Sequence, residues 1–353
     1  MLLVTQPRRL STRKKALFAL AAVVGFVLAL EGALRVAGYP KGIVRSFSRL
    51  WNPDPNATLG LFRPGEHHVT FPRELAYRAR INELGLRGPS LSEKKPEGTY
   101  RILALGDSVT FGFYVDDAET FPAQLAGLLG ESLPDGRRIE VVNGGCGHFS
   151  VGDEREYLSE RLLRLEPDVV LLQFCSNDLS ERELLREPSL YRKLASGEEA
   201  KSDWLRQTAL GEFQLQLAIS YKEWRRRRKG DWPPKGFNGE RLETSPAAWE
   251  RYTKELSALS QLLAKRGVPL LVLGFADLVE VEADAPESEL ERGLAERCAE
   301  LDLPFRGAWT RYRQAKDVKK LYHWPYDAHP SAEGNRLLAE TARELLREAK
   351  LVP

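Results

Sequence analysis

Four short segments of the chain carry polar residues of the kinds that acyl transfer uses. They are Gly106-Asp107-Ser108, the glycine-rich run 143–148, the run 175–178 with Asn177, and the run 326–330 with Asp327 and His329. Together they supply a hydroxyl, a glycine-rich turn, an amide and a histidine near a carboxylate. Acyl transfer needs a nucleophile, a base with an orienting acid, and donors for an oxyanion. The four segments therefore predict a serine hydrolase.

The pattern of apolar residues predicts the elements that position these segments. Short apolar runs predict strands, at 102–105, 139–142, 169–174 and 269–275, with a further short segment at 303–305. Amphipathic stretches predict helices, at 120–129, 154–165, 249–265, 288–300 and 331–351. This alternation predicts an α/β fold with a parallel sheet that is covered by helices on both faces. Ligands bind beyond the carboxyl ends of such strands, where the first three polar segments lie.

The four segments resemble the sequence blocks of the SGNH hydrolase (GDSL esterase/lipase) superfamily, over residues 80 to 350. The resemblance implies a flavodoxin-like doubly wound sheet, the SGNH hydrolase fold. It makes Ser108 the nucleophile and His329 the base that takes the Ser108 proton. Asp327 would hold the His329 imidazole in its tautomer. No metal ion and no organic cofactor is implied.

The same resemblance implies an oxyanion hole with three donors. Two of them would be the backbone N–H of Ser108 and the side-chain amide of Asn177. The third is usually a glycine N–H, but counting from Asn143 places that position on His148, with Gly147 one residue earlier. Either a shifted turn lets the Gly147 N–H donate, or the His148 N–H donates, since a backbone donor does not require glycine.

Several neighbouring residues suggest other roles. Asp107 is adjacent to Ser108 and cannot easily reach the far side of a histidine, so we expect a structural role for it. His323 is close to the last block and is the fallback base. A metal site at His67 and His68 would need more ligands than the surrounding sequence offers, so we expect both to be solvated.

Composition excludes several classes of protein. The 353 residues fit one large α/β domain with additions, and 52 basic against 50 acidic residues give a net charge of +2. Nothing in this balance indicates a nucleic-acid partner. Three cysteines are too few for a disulfide framework and match no zinc pattern. Cys146 and Cys175 follow adjacent strands, and packing is a better expectation for them than a disulfide.

The N-terminus predicts a membrane anchor. A cluster of basic residues precedes an uncharged apolar run, Ala16 to Leu30, that ends at Glu31. No clear small-x-small cleavage site follows, which favours an uncleaved signal anchor at 16–35 over a secreted form. The basic tail 1–15 would stay in the cytoplasm and everything after Arg35 would lie outside. The clustered basic flank argues against a buried core helix.

The remaining organisation is a linker and lead-in at 36–98, with a short hairpin at 66–83, and a hydrolase domain at 99–353. A charged stretch at about 180–247, with a basic run at 225–229, interrupts the alternation and predicts an insertion over the active-site end of the sheet. We expect a serine esterase that hydrolyses carboxylic esters outside the cytoplasm, either lipids or O-acetylated glycans. The alternatives are an envelope polysaccharide O-acyltransferase with the same triad and a catalytically inactive envelope scaffold.

Overall fold

The computed structural model of the chain describes residues 11–39, 50–69 except Pro53, 75–179, single positions between 208 and 228, and 244–353 except 284, 325 and 326. Most of the predicted insertion at 180–247 lies outside the described residues. So does most of the predicted cytoplasmic tail.

The centre of the protein is a five-stranded parallel sheet. A lead-in hairpin of β1 (Gly65–Val69) and β2 (Tyr77–Ile81) precedes it, antiparallel as predicted. The sheet consists of β3 (Thr99–Gly106), β4 (Arg138–Gly145), β5 (Val169–Phe174), β6 (Leu270–Gly274) and β7 (Phe305–Gly307). Its order is β4-β3-β5-β6-β7. This order confirms the flavodoxin-like doubly wound fold, and its direction of winding reverses between β3 and β5.

Helices follow the strands at nearly the predicted places. The described part of the chain holds α1 (Thr12–Val36), α2 (Ser108–Phe111), α3 (Phe121–Leu129), α4 (Val151–Glu160), α5 (Pro246–Ala264), α6 (Leu278–Glu282), α7 (Glu289–Glu300), α8 (Trp309–Arg313) and α9 (Ala332–Glu348). Hydroxyl side chains cap the starts of α3, α5, α7 and α9, those of Thr120, Ser245, Ser288 and Ser331.

The predicted helix at 154–165 differs from the observed one. Ser150 and Asp153 form a capping box, so α4 begins at Val151, before the predicted start. After α4 ends at Glu160, a separate 3₁₀ turn covers Leu162–Leu165. The predicted strand at 303–305 is also displaced along the chain, to Phe305–Gly307.

The sheet is buried on both faces because alternate strand residues enter two different cores. Leu103 and Leu105 of β3 belong to one core, which α4, α5 and α7 cover. Ile102 and Ala104 belong to the other, which α3 and α9 cover. Cys146 is part of the first core and Cys175 part of the second; all three cysteines are free thiols and buried. The sheet is therefore packed on both faces, as parallel sheets are.

The helix α1 differs from the helices of the sheet domain in its length and in its exposed apolar side chains. Its 25 residues give a length of about 37 Å at 1.5 Å per residue. In the described part of the chain it is the one helix long and apolar enough to cross a membrane, with a mean hydropathy of 2.3 in its most apolar window. Side chains along this helix are exposed, and Leu34 near its end is buried.

Candidate active site

The candidate nucleophile lies on the short helix that follows β3. The Asp107 carboxylate accepts a hydrogen bond of 2.9 Å from the Val109 N–H and so caps the start of α2, which is the structural role expected for it. Ser108 is the first residue of α2. Gly106 permits this sharp exit from the strand, because a Cβ there would lie 2.1 Å from the Thr110 hydroxyl. The hydroxyl of Ser108 is thus held at the carboxyl end of β3.

The structure brings Ser108, His329 and Asp327 into one hydrogen-bonded chain. His329 Nε2 and Ser108 Oγ are 2.9 Å apart. The other ring nitrogen, Nδ1, contacts Asp327 Oδ1, and the His329 backbone N–H donates to the same oxygen at 2.9 Å. Ser108 is 5% and His329 4% exposed, so little water competes for these bonds. The arrangement can move a proton from a serine hydroxyl to an imidazole.

The carboxylate of Asp327 is held in its charged form. Burial opposes ionisation, but the charge of His329 and hydrogen bonds from its ring and backbone hold the pKa of Asp327 below its ordinary value. A charged carboxylate at this place orients the imidazole and stabilises its protonated form.

A closed loop carries both residues to Ser108. The Ser331 N–H donates to the Leu321 carbonyl at 2.8 Å, where α9 begins. Inside the loop, the His323 N–H donates to the His329 carbonyl and the Asp327 N–H to the His323 carbonyl, both at 3.0 Å. We call residues 321–331 the base loop. His329 hydrogen-bonds Ser108, whereas Nε2 of His323, the fallback base, is buried without a partner in the described part of the chain.

Two aromatic side chains that the sequence did not single out cover His329. The ring of Phe113 lies 5.4 Å from the imidazole between centroids, and that of Tyr114 lies 5.1 Å away, nearly perpendicular. Tyr114 also contacts His323, at 5.7 Å. Its backbone has a φ of 67°, which is uncommon for a residue other than glycine. The one sequence signal that could have identified them is that Phe113 and Tyr114 form an aromatic pair directly after the residues of α2.

Arg87 hydrogen-bonds the segment that follows the candidate nucleophile. In the sequence it was only part of the predicted lead-in. The guanidinium is buried and forms an ion pair of 2.9 Å with Asp117. All five of its N–H groups have acceptors, as a buried guanidinium requires. Besides Asp117, these are four main-chain carbonyl groups, those of Arg78, Phe111, Gly112 and Val115.

The predicted oxyanion residues come from the ends of β4 and β5. Asn177 lies on a 3₁₀ turn, Ser176–Leu179, and its Nδ2 donates to the Phe149 carbonyl at 3.1 Å. Burial raises the pKa of Asp107, and a hydrogen bond from the Asn177 amide is among the contacts that oppose this rise, so the amide also lies close to the residue before Ser108. The Cys146 N–H donates to the Gly106 carbonyl at 2.9 Å. The ends of β3 and β4 are therefore neighbours.

Gly147 and His148 form the middle of a tight turn. The Phe149 N–H donates to the Cys146 carbonyl at 3.2 Å, which closes a four-residue turn. His148, at its third position, has a φ of 71° and an exposed side chain. A type II turn requires a positive φ there, usually from glycine. Gly147 packs against Phe113, since a Cβ would lie 2.5 Å from its ring. His148 thus adopts a backbone conformation typical of glycine.

A buried acidic cluster underlies Asn177. Asp178 Oδ2 accepts a hydrogen bond of 2.8 Å from the Cys175 N–H and so stabilises the turn that carries Asn177. Glu154 of α4 is fully buried, and among the described residues neither of its carboxyl oxygens has a partner. Burial raises the pKa of Glu154 well above its ordinary value, and the nearby charges of Asp178 and Asp107 raise it further. The folded protein therefore favours the protonated form of Glu154.

The other histidines lie apart from this site. His67 Nε2 is 2.7 Å from the Arg63 carbonyl oxygen, and His68 is exposed on β1. Within the described ranges, no group of three or more histidine, cysteine, aspartate or glutamate side chains is placed to hold a metal ion.

Comparison with known proteins gives one family and a set of similar folds. Residues 104–337 match the GDSL-like lipase/acylhydrolase family. An acetylxylan esterase from Geobacillus stearothermophilus is 18% identical with a TM-score of 0.41, over 70% of this chain and 93% of that one. A lipase/acylhydrolase from Enterococcus faecalis is 13% identical with a TM-score of 0.42, over 71% and 97%. No curated protein matches the chain.

Proposed function

The chain belongs to the GDSL-like lipase/acylhydrolase family and is an ester-hydrolysing enzyme, and we propose that Ser108 is its nucleophile, with His329 and Asp327 as base and orienting acid. The observation that carries the proposal is the 2.9 Å contact between His329 Nε2 and Ser108 Oγ, with Asp327 on the other ring nitrogen.

The reaction proceeds through an acyl-enzyme. Ser108 Oγ attacks the ester carbonyl carbon while its proton passes to His329 Nε2. The tetrahedral intermediate expels the alcohol, which takes that proton from His329. Water then attacks the acyl group on Ser108, with His329 again as base, and releases the carboxylic acid and the free serine. The Asp327 carboxylate accepts a hydrogen bond from the Nδ1–H of His329 and stabilises the imidazolium in both steps.

The oxyanion is stabilised by three donors in this proposal. They are the Ser108 backbone N–H at the start of α2, the side-chain amide of Asn177, and a backbone N–H from Gly147 or His148. These groups lie at the carboxyl ends of β3, β5 and β4, which is where doubly wound sheets bind ligands. Such donors stabilise the transition state without rearrangement.

We place the catalytic domain outside the cytoplasm. The helix α1 begins with Arg13, Lys14 and Lys15 and continues as an apolar span. Basic residues on one flank favour a cytoplasmic start, so the chain after α1 would be outside. The substrate is then an extracytoplasmic carboxylic ester, of a lipid or of an O-acetylated glycan.

An organophosphonate probe tests the nucleophile. We expect one adduct per chain, on Ser108, and hydrolysis of p-nitrophenyl acetate. Ser108→Ala should lose both, whereas Ser159→Ala, at an exposed serine of α4, should keep both. An adduct on another residue, or activity that survives in Ser108→Ala, would contradict the assignment.

Product analysis separates hydrolysis from transfer. The acyl donor is supplied with and without an oligosaccharide acceptor, and free acid and acylated sugar are measured. We expect free acid in the same amount in both reactions. Acylated sugar would identify an acyltransferase, and the absence of both products and of a probe adduct would identify a scaffold.

A further inference from the structure

Large apolar side chains are exposed at several described positions between 209 and 228. Every described position from Ala209 to Arg228 is helical. Phe213, Leu217, Tyr221 and Trp224 recur at intervals of four, four and three residues, which places them on one side within an arc of about 80° at 3.6 residues per turn. Leu217 is 54%, Tyr221 59% and Trp224 50% exposed. Leu217, Tyr221 and Trp224, which we call the apolar stripe, are exposed large apolar side chains of the kind that mark an interaction surface.

The residues that precede the apolar stripe contact the carboxyl-terminal end of the apolar helix α1. Both carboxylate oxygens of Glu31 accept backbone hydrogen bonds from this stretch, from the Ala209 N–H at 3.1 Å and the Leu210 N–H at 2.9 Å. The ring of Phe213 meets that of Tyr39 edge-on at 5.6 Å. The first turn of the stretch is therefore attached to the carboxyl-terminal end of α1.

The position of Glu31 along α1 sets the depth of this attachment. The helix carries no charged residue between Lys15 and Glu31. The uncharged run from Ala16 to Leu30 extends about 22 Å at 1.5 Å per residue. The long side chains of Lys14 and Lys15 can reach the interface from about one turn further in, which brings the span close to the ~30 Å thickness of a bilayer hydrocarbon core. If α1 spans, Glu31 lies at the outer edge of that core, and the N–H groups of Ala209 and Leu210 lie at the same depth.

The side chains along the stripe have the chemistry of a membrane surface. Tyrosine and tryptophan favour the headgroup level, where an apolar ring and a polar tip are both accommodated. Tyr221 and Trp224 stack at 5.8 Å, and the Arg228 guanidinium lies 4.8 Å over the Trp224 ring. Arg225 is exposed beside them. Exposed guanidinium groups next to an apolar stripe complement the phosphates of anionic lipids.

We propose that this stripe, Leu217, Tyr221 and Trp224 with Arg225 and Arg228, lies on the outer surface of the membrane that α1 crosses. The aromatic rings insert at the headgroup level and the two arginines bind lipid phosphate. The inference rests on the proposed placement of α1 in the membrane. It adds a second contact, which would hold the catalytic domain against the bilayer.

Quenching by labelled lipid tests the contact. The full chain is reconstituted in vesicles of phosphatidylcholine with phosphatidylglycerol, with a spin label on part of the lipid. Since the native cysteines are buried, a fluorophore on one introduced cysteine reports its own position. Leu217→Cys reports the stripe, Val24→Cys the centre of α1, and Asp135→Cys an exposed loop before β4. We expect quenching at 217 to exceed that at 135 at least twofold.

The three positions distinguish the two hypotheses. Quenching at 24 but only the background of 135 at 217 would overturn the membrane contact and leave the anchor intact. Absence of quenching at 24 would overturn both. Crosslinking of the 217 position to a second copy, without lipid quenching, would identify a protein interface and also overturn the inference.

A charge reversal tests the role of the arginines. Arg225→Glu with Arg228→Glu should reduce quenching at 217 at least twofold in vesicles with phosphatidylglycerol, with no change at 24. Lys254→Glu with Lys265→Glu makes the same change in net charge on exposed residues of α5 and its end, and should leave both signals unchanged. Equal quenching at 217 in both double variants would contradict phosphate binding.

Discussion

Two regions flank Ser108, and they differ in how their residues are hydrogen-bonded. One is the base loop; the other, which we call the oxyanion side, comprises the turns 146–149 and 176–179 together with Glu154. In the base loop, main-chain hydrogen bonds tie residues 321, 323, 327, 329 and 331 to one another, and His329 is held by both Asp327 and Ser108. On the oxyanion side, Asn177 uses one amide hydrogen on Phe149, and Glu154 beneath it has no partner in the described chain.

Burial disfavours the charged form of one side chain in each region, a histidine in the base loop and a carboxylic acid on the oxyanion side. It lowers the pKa of His323 to about 4, with help from the charge of His329, so this imidazole is neutral. It raises the pKa of Glu154, which favours the protonated carboxyl. His323 in the base loop thus disfavours its positive form, and Glu154 on the oxyanion side disfavours its negative form. The two sides should respond to pH in opposite directions.

The largest expected effect lies in the base loop. His329→Gln removes the proposed general base, and we expect kcat to fall by about 10⁴-fold or more. Rates of p-nitrophenyl ester hydrolysis measure it. His68→Gln on β1 is the control and should retain full activity. A His329→Gln enzyme with more than a tenth of the original kcat would show that another residue is the base.

Removing the amide of Asn177 should have a smaller effect. Asn177→Ala takes away one of the three proposed oxyanion donors, and we expect kcat to fall by about 10²- to 10³-fold. KM should change little, because the donor acts mainly in the transition state. Thermal unfolding measures the separate effect on stability of losing the hydrogen bond between Asn177 and the Phe149 carbonyl. An unchanged kcat with a lower melting temperature would give Asn177 a structural role alone.

The base loop should lose stability in acid. The folded pKa of His323, about 4, lies below its ordinary value of 6.5. Between these pH values the unfolded chain takes up a proton that the folded protein refuses, so the free energy of unfolding falls as pH falls. The groups facing His323 are His329, Asp327 and Tyr114. His323→Gln should reduce this loss by up to roughly 3 kcal/mol at pH 4. Urea unfolding at pH 7 and pH 4 measures it, with His68→Gln as control.

The oxyanion side should lose stability in the opposite direction. Because the pKa of Glu154 is raised in the folded protein, its contribution is complete below the ordinary pKa of 4.5 and declines as pH rises. Glu154→Gln keeps a neutral side chain of the same shape at every pH. Its free energy of unfolding should therefore fall less between pH 5 and pH 8 than that of the original protein. Parallel curves for the two proteins would mean that Glu154 does not hold a proton.

Local signals explain why much of this architecture could be predicted. Strand β5 is apolar on both faces except for Gln173, and its predicted ends match the observed ones. Ser288 and Ser331 cap their helices at the predicted places. Each of these signals lies within a few residues of its effect. Ser108 and Asn177 follow from the same reasoning, since they come directly after β3 and β5.

The features that were missed depend on contacts between distant parts of the chain. Arg87 binds carbonyl groups of residues 111–115, and Tyr114 covers a histidine more than two hundred residues later. Glu154 looks like a surface residue of an amphipathic helix, and its burial follows only from how α4 packs beneath the site. No periodicity within one segment carries that information.

The smallest expected effect tests the turn that replaces a glycine with His148. Its φ of 71° costs about 1 kcal/mol for a residue with a Cβ. His148→Gly relieves this strain, but the unfolded chain gains a comparable entropy, so stability should change by less than about 1 kcal/mol. Because either glycine or histidine supplies the same backbone N–H, kcat should stay within about threefold in His148→Gly and in His148→Ala. If both variants lost activity as Asn177→Ala does, the histidine side chain itself would take part, and the oxyanion side would not depend on main-chain donors at this position.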